Sequence, residues 1–144
     1  VEAMLLASRA LVAVAARSVP GDVTLPQYRA LVVLATRGAQ SSSALATELG
    51  IVPSSVTRLC DRLERKELVV REAVEGDRRQ VQLQVTDAGR RLVDRVTEAR
   101  RVALIELVHG IPPKRRPDLI DALNVLGHAA GETPEQAWSI GWGG

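Results

Sequence analysis

The sequence predicts a mainly α-helical fold with one small β-hairpin. Apolar residues recur every three or four positions through most of the chain, which is the spacing of a helix packed on one side. One stretch, Gln80 to Thr86, instead alternates strictly between polar and apolar residues, as a half-buried strand does. With 46% hydrophobic residues but only 2% aromatics, the core must consist of Leu, Val, Ile and Ala, which favours closely packed helices.

The first predicted helix spans Leu5 to Val19 and is apolar on most of its sides. A helix with apolar residues all round is a buried one. In a chain of 144 residues, a terminal helix of this kind indicates burial against a second subunit.

The next two predicted helices are bracketed by start and stop signals. One begins after Thr24, which has the spacing of a capping box with Gln27, and ends at Gly38. The serine run 41–43 offers N-caps for a short helix that Gly50 ends.

The fourth predicted helix has Pro53 in its first turn, where the missing N–H costs nothing. Its apolar side consists of Val56, Leu59, Cys60 and Leu63. The opposite side carries short hydroxyl groups followed by charged residues, namely Ser54, Thr57, Arg58, Asp61, Arg62 and Arg65. The helix is therefore expected to be strongly amphipathic.

A hairpin and two more helices complete the prediction. The hairpin pairs a strand at 68–72 with the alternating stretch. The positions expected to face the core are Val81, Leu83 and Val85. Thr86 is the expected N-cap of a long helix that stops near Gly110, and a last helix covers roughly residues 117–130.

A short helix, a glycine turn, a second helix and then a hairpin follow one another in a winged helix-turn-helix. In that arrangement the fourth helix enters a major groove with its first turns. Arginine can hold guanine with two hydrogen bonds, and Ser and Thr reach phosphates or base edges. The polar side of the fourth helix therefore predicts DNA binding.

Two other interpretations of this region remain. The polar side could be an ordinary solvated face, because such faces are common and acids nearly balance bases between residues 58 and 79. The module could also bind protein with the same side. The feature that favours DNA is the pair Arg78 and Arg79 at the hairpin tip, where Asp77 can orient one of them. A protein interface does not need this pair.

The densest motif runs from the fourth helix through the hairpin. Its parts are Pro53-Ser54-Ser55-Val56-Thr57-Arg58-Leu59, Asp61-Arg62-Leu63-Glu64-Arg65-Lys66, Leu68-Val69, Asp77-Arg78-Arg79, Val81, Leu83, Val85-Thr86 and Gly89. This pattern resembles the signature of the MarR family, the multiple-antibiotic-resistance-type regulators, densely from about Leu25 to Gly89. The resemblance implies a homodimeric winged-helix transcription regulator, usually a repressor, that binds a pseudo-palindromic operator and is often released by a small ligand.

The resemblance also implies roles for single residues. The recognition helix would contribute Ser54, Ser55, Thr57, Arg58 and Arg62, and Arg79 would enter the minor groove from the wing. The candidate DNA-binding set is completed by Arg65, Asp77 and Arg78. Two positions depart from the family pattern: Val52 stands where a hydroxyl residue often caps the recognition helix, and Glu67 stands where Gly often precedes Leu68.

The resemblance and the helix pattern together imply a division by function. Residues 1–22 and 90–131 would form a helical dimerisation region, residues 23–89 the DNA-binding region, and residues 132–144 a loosely ordered, Gly-rich tail. The expected partners are double-stranded DNA, a second copy of the chain, and a small lipophilic or anionic effector whose binding residues the sequence does not indicate.

Other classes of function find no support in the sequence. It contains no Gly-x-Ser-x-Gly, phosphate-loop or His-Glu-x-x-His motif, so neither an enzyme nor a cofactor is expected. The only histidines, His109 and His128, have no Cys or carboxylate cluster at ligand spacing, so no metal site is expected. The one cysteine, Cys60, lies on the predicted core side and is expected to pack rather than react. With a single thiol and no apolar run of ~18 residues, a cytoplasmic protein without a membrane segment is expected.

Overall fold

The computed structural model describes residues 1–74 and 77–132, and for residues 77–79 it describes the backbone without the side chains. The helices are α1 (Glu2–Ser18), α2 (Leu25–Arg37), α3 (Ser42–Leu49), α4 (Pro53–Arg65), α5 (Asp87–His109) and α6 (Arg116–Ala129), with a 3₁₀ turn at Pro113–Arg115. The strands β1 (Val69–Val74) and β2 (Asp77–Val85) form an antiparallel pair. The predicted fold class, mainly helical with a hairpin wing, is confirmed.

The chain forms two compact units, Val1–Arg100 and the remainder from Arg101. In the first unit, α2 packs against α3, α4 and β2. Its largest fully buried side chains come from α2, α3, α4, both strands and α5, and include Leu31, Leu34, Leu45, Leu63, Val69, Leu83 and Val93. A core drawn from so many elements holds the short helices and the hairpin in one arrangement.

The functional division predicted from the sequence stays a prediction. It assigned residues 1–22 and 90–131 to dimerisation and residues 23–89 to DNA binding. From residue 133 onward, the tail lies outside the described residues.

The caps of α2 and α3 are the predicted ones. The Thr24 hydroxyl accepts a hydrogen bond from the Gln27 backbone N–H at 3.3 Å, and Gln27 Oε1 accepts one from the Thr24 N–H at 3.0 Å. Ser41 Oγ accepts from the Ala44 N–H at 3.2 Å. At the C-terminus of α3, Gly50 adopts a left-handed conformation with φ of 64°. These contacts occupy backbone groups that a helix end leaves without a partner.

The base of the hairpin is anchored to the core. Leu83 and Val85 are buried as predicted, and the backbone of Leu83 exchanges hydrogen bonds of 2.7 and 3.0 Å with that of Gln40. Val81 was expected to face the core as well, and this is wrong, because its side chain is 48% exposed. It pairs with Ala73, which is exposed as well and lies farther toward the turn than Leu83 does.

The first helix is exposed on nearly all sides within the single chain. Among its residues only Val14 is buried. Five large apolar side chains of α1 are exposed, namely Met4, Leu5, Leu6, Leu11 and Val12. Within residues 1–74 and 77–132, no helix is both long enough and apolar enough to cross a membrane.

Candidate nucleic-acid interface

The N-terminus of α4 lacks a side-chain cap. Val52 occupies the N-cap position and accepts backbone hydrogen bonds from the Ser55 and Val56 N–H groups at 3.0 and 3.3 Å. Its side chain can offer no acceptor to the first turn, so the departure noted in the sequence is real. Pro53, the first helical residue, removes one of the N–H groups that would otherwise need a partner.

Helix α4 has the two sides that its sequence predicts. Val56, Leu59, Cys60 and Leu63 are buried. The exposed side carries Ser54, Ser55, Thr57, Arg58, Arg62 and Arg65. The structure therefore brings all six helical members of the candidate set together on one open surface.

The two central arginines of this surface are available to a partner. The side chains of Arg58 and Arg62 form no ion pair or hydrogen bond with another residue that the structure describes. Both line a cleft of about 340 Å³ beside the N-terminal end of α2. By contrast, Arg65 donates from Nε to the Asp61 carbonyl at 3.2 Å, and Thr57 donates to the Pro53 carbonyl at 3.2 Å. A hydroxyl that donates within its helix keeps its acceptor lone pairs for a ligand.

The acidic residues of α4 form ion pairs with Arg71 of β1. Arg71 Nη2 lies 2.6 Å from Asp61 Oδ1, and Arg71 Nη1 also pairs with Glu64 Oε2. The hydrogen bond with Asp61 is the main cause that raises the pKa of Arg71 above its usual value. The near balance of acids and bases along the sequence therefore overstates the negative charge offered to a ligand.

Sequence reasoning counted Arg71 as one charge among many and missed this pairing. The available signal was strand alternation, which places Arg71 on the same side of β1 as the buried Val69. The partner could not be found that way, because the pairing depends on how the hairpin packs on α4.

The hairpin tip is described only in part. Asp77 begins β2 and pairs with Val74 across an irregularity in the register, which places it at the turn end of the hairpin as expected. Glu75 and Gly76 lie outside the described residues, as do the side chains of Asp77, Arg78 and Arg79. The roles assigned to these three residues in DNA binding stay predictions.

The segment between α4 and β1 is joined to the start of α5. Thr86 Oγ1 donates to the Glu67 carbonyl at 2.7 Å and accepts from the Gly89 N–H at 3.1 Å. The Thr86 N–H in turn donates to the Leu68 carbonyl at 3.1 Å. Glu67 has φ of 58°, a left-handed conformation that explains why Gly is common at this place in the family pattern.

The predicted core position of Cys60 is confirmed, since the residue is fully buried. Burial raises the pKa of its thiol to about 11. A buried thiol with a raised pKa carries little thiolate near neutral pH, and the thiolate is the reactive form.

Comparisons with known proteins agree with this geometry. The model of the MarR family matches residues 23–81. The crystal structure of RV1404 from Mycobacterium tuberculosis is 38% identical, covers 92% of each chain and superposes with a TM-score of 0.87. The uncharacterized HTH-type transcriptional regulator ML2140 from Mycobacterium leprae is 32% identical over 118 residues, which are 82% of each protein. A second such regulator, YfiV from Bacillus subtilis, is 29% identical over 75% of this chain and 68% of its own length.

The family match spans the helix-turn-helix and most of the hairpin, where the signature motif lies. The same residues fold into the recognition helix and wing that the motif implies. The chain belongs to the MarR family and is a DNA-binding transcription regulator.

Proposed function

We propose that this regulator is a homodimeric repressor that binds a pseudo-palindromic operator and is released by a small lipophilic or anionic effector. Dimerisation and a response to ligands are typical of the family. The observation that carries the proposal is the exposed polar side of α4, on which Arg58 and Arg62 point to no partner within the described chain.

The DNA contacts in this proposal divide between two grooves. Helix α4 enters the major groove, where Arg58 and Arg62 hold guanine edges or phosphates. Hydroxyl and flanking contacts come from Ser54, Ser55, Thr57 and Arg65. The wing reaches the neighbouring minor groove with Arg79, while Asp77 and Arg78 support it at the tip.

The apolar surface of the terminal helices supports the dimer. Besides α1, the C-terminal half of α5 exposes Val102, Ile105, Leu107 and Val108, and α6 exposes Ile120, Leu123, Val125 and Leu126. On each of these helices, exposed apolar side chains of this number are typical of a surface that associates with another chain. A second copy of the chain would cover them and set the two α4 helices about 34–36 Å apart, one turn of DNA.

No catalytic step is part of this proposal. A transcription repressor acts where the chromosome is, so we place the protein in the cytoplasm. Its effector has no assigned residues, and the low aromatic content, 2%, argues against a pocket walled by rings.

The proposal is tested by selecting an operator with the purified protein from random duplex DNA and measuring affinity across a salt series. If the protein makes 6–10 phosphate contacts, affinity should fall by roughly 10³–10⁵ between about 50 and 200 mM salt. Binding without a steep salt dependence would instead favour a winged-helix module that binds protein.

Two further measurements address the dimer and the repression. Sedimentation at micromolar concentration should show a dimer, and a monomer alone would contradict the proposal. In transcription with purified polymerase, a promoter that contains the selected operator should lose activity when the protein is added.

A further inference from the structure

The side chain of Arg71, a residue of the wing, forms ion pairs with the recognition helix. It lies in the middle of β1 and reaches back to α4, where its guanidinium meets Asp61 at 2.6 Å and also Glu64. We propose that Arg71 is a positioning residue that fixes the wing relative to α4 without itself contacting DNA. This inference rests on the proposed minor-groove contact of the wing.

The two carboxylates make this contact unusually directional. Asp61 and Glu64 are three residues apart and therefore lie on neighbouring turns of one helix. A planar guanidinium that bonds to both with different Nη atoms is held at two points, so it resists rotation as well as displacement. The Arg71 side chain is 30% exposed and those of Asp61 and Glu64 are 47% and 39% exposed, so solvent screens the charges and the contact acts through its geometry more than its strength.

The position of Arg71 along the hairpin explains why this contact matters for the tip. Arg71 pairs across the ribbon with Leu83, whose side chain is buried. The next pair on that side, Ala73 and Val81, is already exposed. At this level of the ribbon, Arg71 attaches β1 to α4, and the backbone of Leu83 attaches β2 to Gln40.

A simpler role would be charge compensation. Asp61 lies between Arg58 and Arg65 along the exposed side of α4, so an uncovered carboxylate there would repel phosphates. Both roles predict weaker DNA binding when Arg71 is removed. They differ when the carboxylates are removed instead, because that change makes the surface more positive while it also releases the wing.

The decisive variant is therefore Asp61→Ala combined with Glu64→Ala, which removes both acceptors of the Arg71 guanidinium. Charge compensation alone predicts tighter binding to the selected operator, whereas positioning predicts binding weakened by about tenfold, the loss expected when one arginine no longer reaches its groove. The second measurement is hydroxyl-radical cleavage of the operator. The double variant should lose the protection of the minor groove next to each major-groove site, and the protection by α4 should persist.

Arg71→Met should show the same loss of minor-groove protection, and Arg71→Lys, which keeps the charge but not the planar fork, should show a partial loss. Glu48→Gln is the matched control, because it removes the charge of an ion pair of 2.6 Å with Arg37 that joins α3 to α2 and not to the wing. Thermal unfolding of every variant separates a positioning effect from a loss of fold.

Each result supports or overturns the inference. If the double variant binds more tightly and keeps the minor-groove protection, Arg71 only compensates charge and the inference is wrong. If the unaltered protein itself shows no minor-groove protection, the proposed wing contact fails, and the positioning role of Arg71 fails with it.

Discussion

The α-carbon of Gly89 lies against the backbone carbonyl of Leu68 with no room for a side chain between them. A Cβ atom at residue 89 would overlap the Leu68 oxygen and lie 2.7 Å from Cγ2 of Val85. The Gly89 N–H also donates to Thr86 Oγ1, the oxygen that donates to the Glu67 carbonyl. The first turn of α5 thus packs directly against the turn between α4 and β1. This contact explains the Thr-x-x-Gly spacing of the motif.

Replacing Gly89 by Ala should therefore destabilise the protein by about 1–3 kcal/mol, the usual cost of forcing an extra carbon into a packed site. The neighbouring oxygen belongs to the backbone and cannot rotate away. Urea unfolding measures the change, and Gly127→Ala in α6 is the control, because an added Cβ there meets nothing within 4 Å. Equal losses in both variants would show that the contact with Leu68 is not the cause.

At Glu67 a substitution is expected to stabilise the protein. Because Glu67 has φ of 58°, Glu67→Gly should stabilise the protein by about 1 kcal/mol, since glycine adopts this conformation without steric cost. Glu67→Ala removes the same carboxylate but keeps the Cβ, so it should give no such gain. Thermal unfolding of the two variants compares them directly, and an equal gain in both would assign the effect to charge rather than to the backbone.

The thiol of Cys60 predicts a loss of stability at high pH. Its pKa rises from 9.0 to about 11 on folding, so its contribution is complete below pH 9 and is lost as the pH rises through 11. The free energy of unfolding should fall by about 1–3 kcal/mol more in the unaltered protein than in Cys60→Ala over that interval. Urea unfolding at several pH values checks this. Parallel pH profiles, or rapid alkylation of Cys60 in the folded protein, would contradict the buried, inert thiol.

Local signals were sufficient to predict most of the fold. The capping box at Thr24 starts α2 and Gly50 ends α3 through contacts within a few residues, so the sequence alone indicates these helix ends. The two sides of α4 follow from helical periodicity for the same reason. The exposed position of Val81 and the pairing of Arg71 with α4 could not be predicted, because both depend on how far the hairpin extends past the helices that cover its base.

Arg58→Ala and Arg62→Ala test the major-groove half of the interface. If the arginine reads a base, its replacement should cost about 1–3 kcal/mol of binding free energy and relax the preference at that base pair. If the arginine only holds a phosphate, its replacement should weaken binding to every sequence alike and make the affinity depend less steeply on salt. Affinities for the selected operator and for its single-base-pair variants separate these outcomes. Arg91→Ala, an exposed arginine on α5, is the control for the loss of one positive charge.

Arg79→Ala tests the wing. Val81, two residues from Arg79 along β2, is already exposed, so removal of the Arg79 side chain should leave the melting temperature unchanged while it weakens binding to the operator. The loss should be larger when A·T pairs lie at the wing position than when G·C pairs do, because a narrow A·T minor groove attracts arginine more strongly. Arg78→Ala removes an equal charge from the same tip and should cost less. If Arg79→Ala left affinity unaffected for both base compositions, the two arginines of the tip would have no role in reading the minor groove.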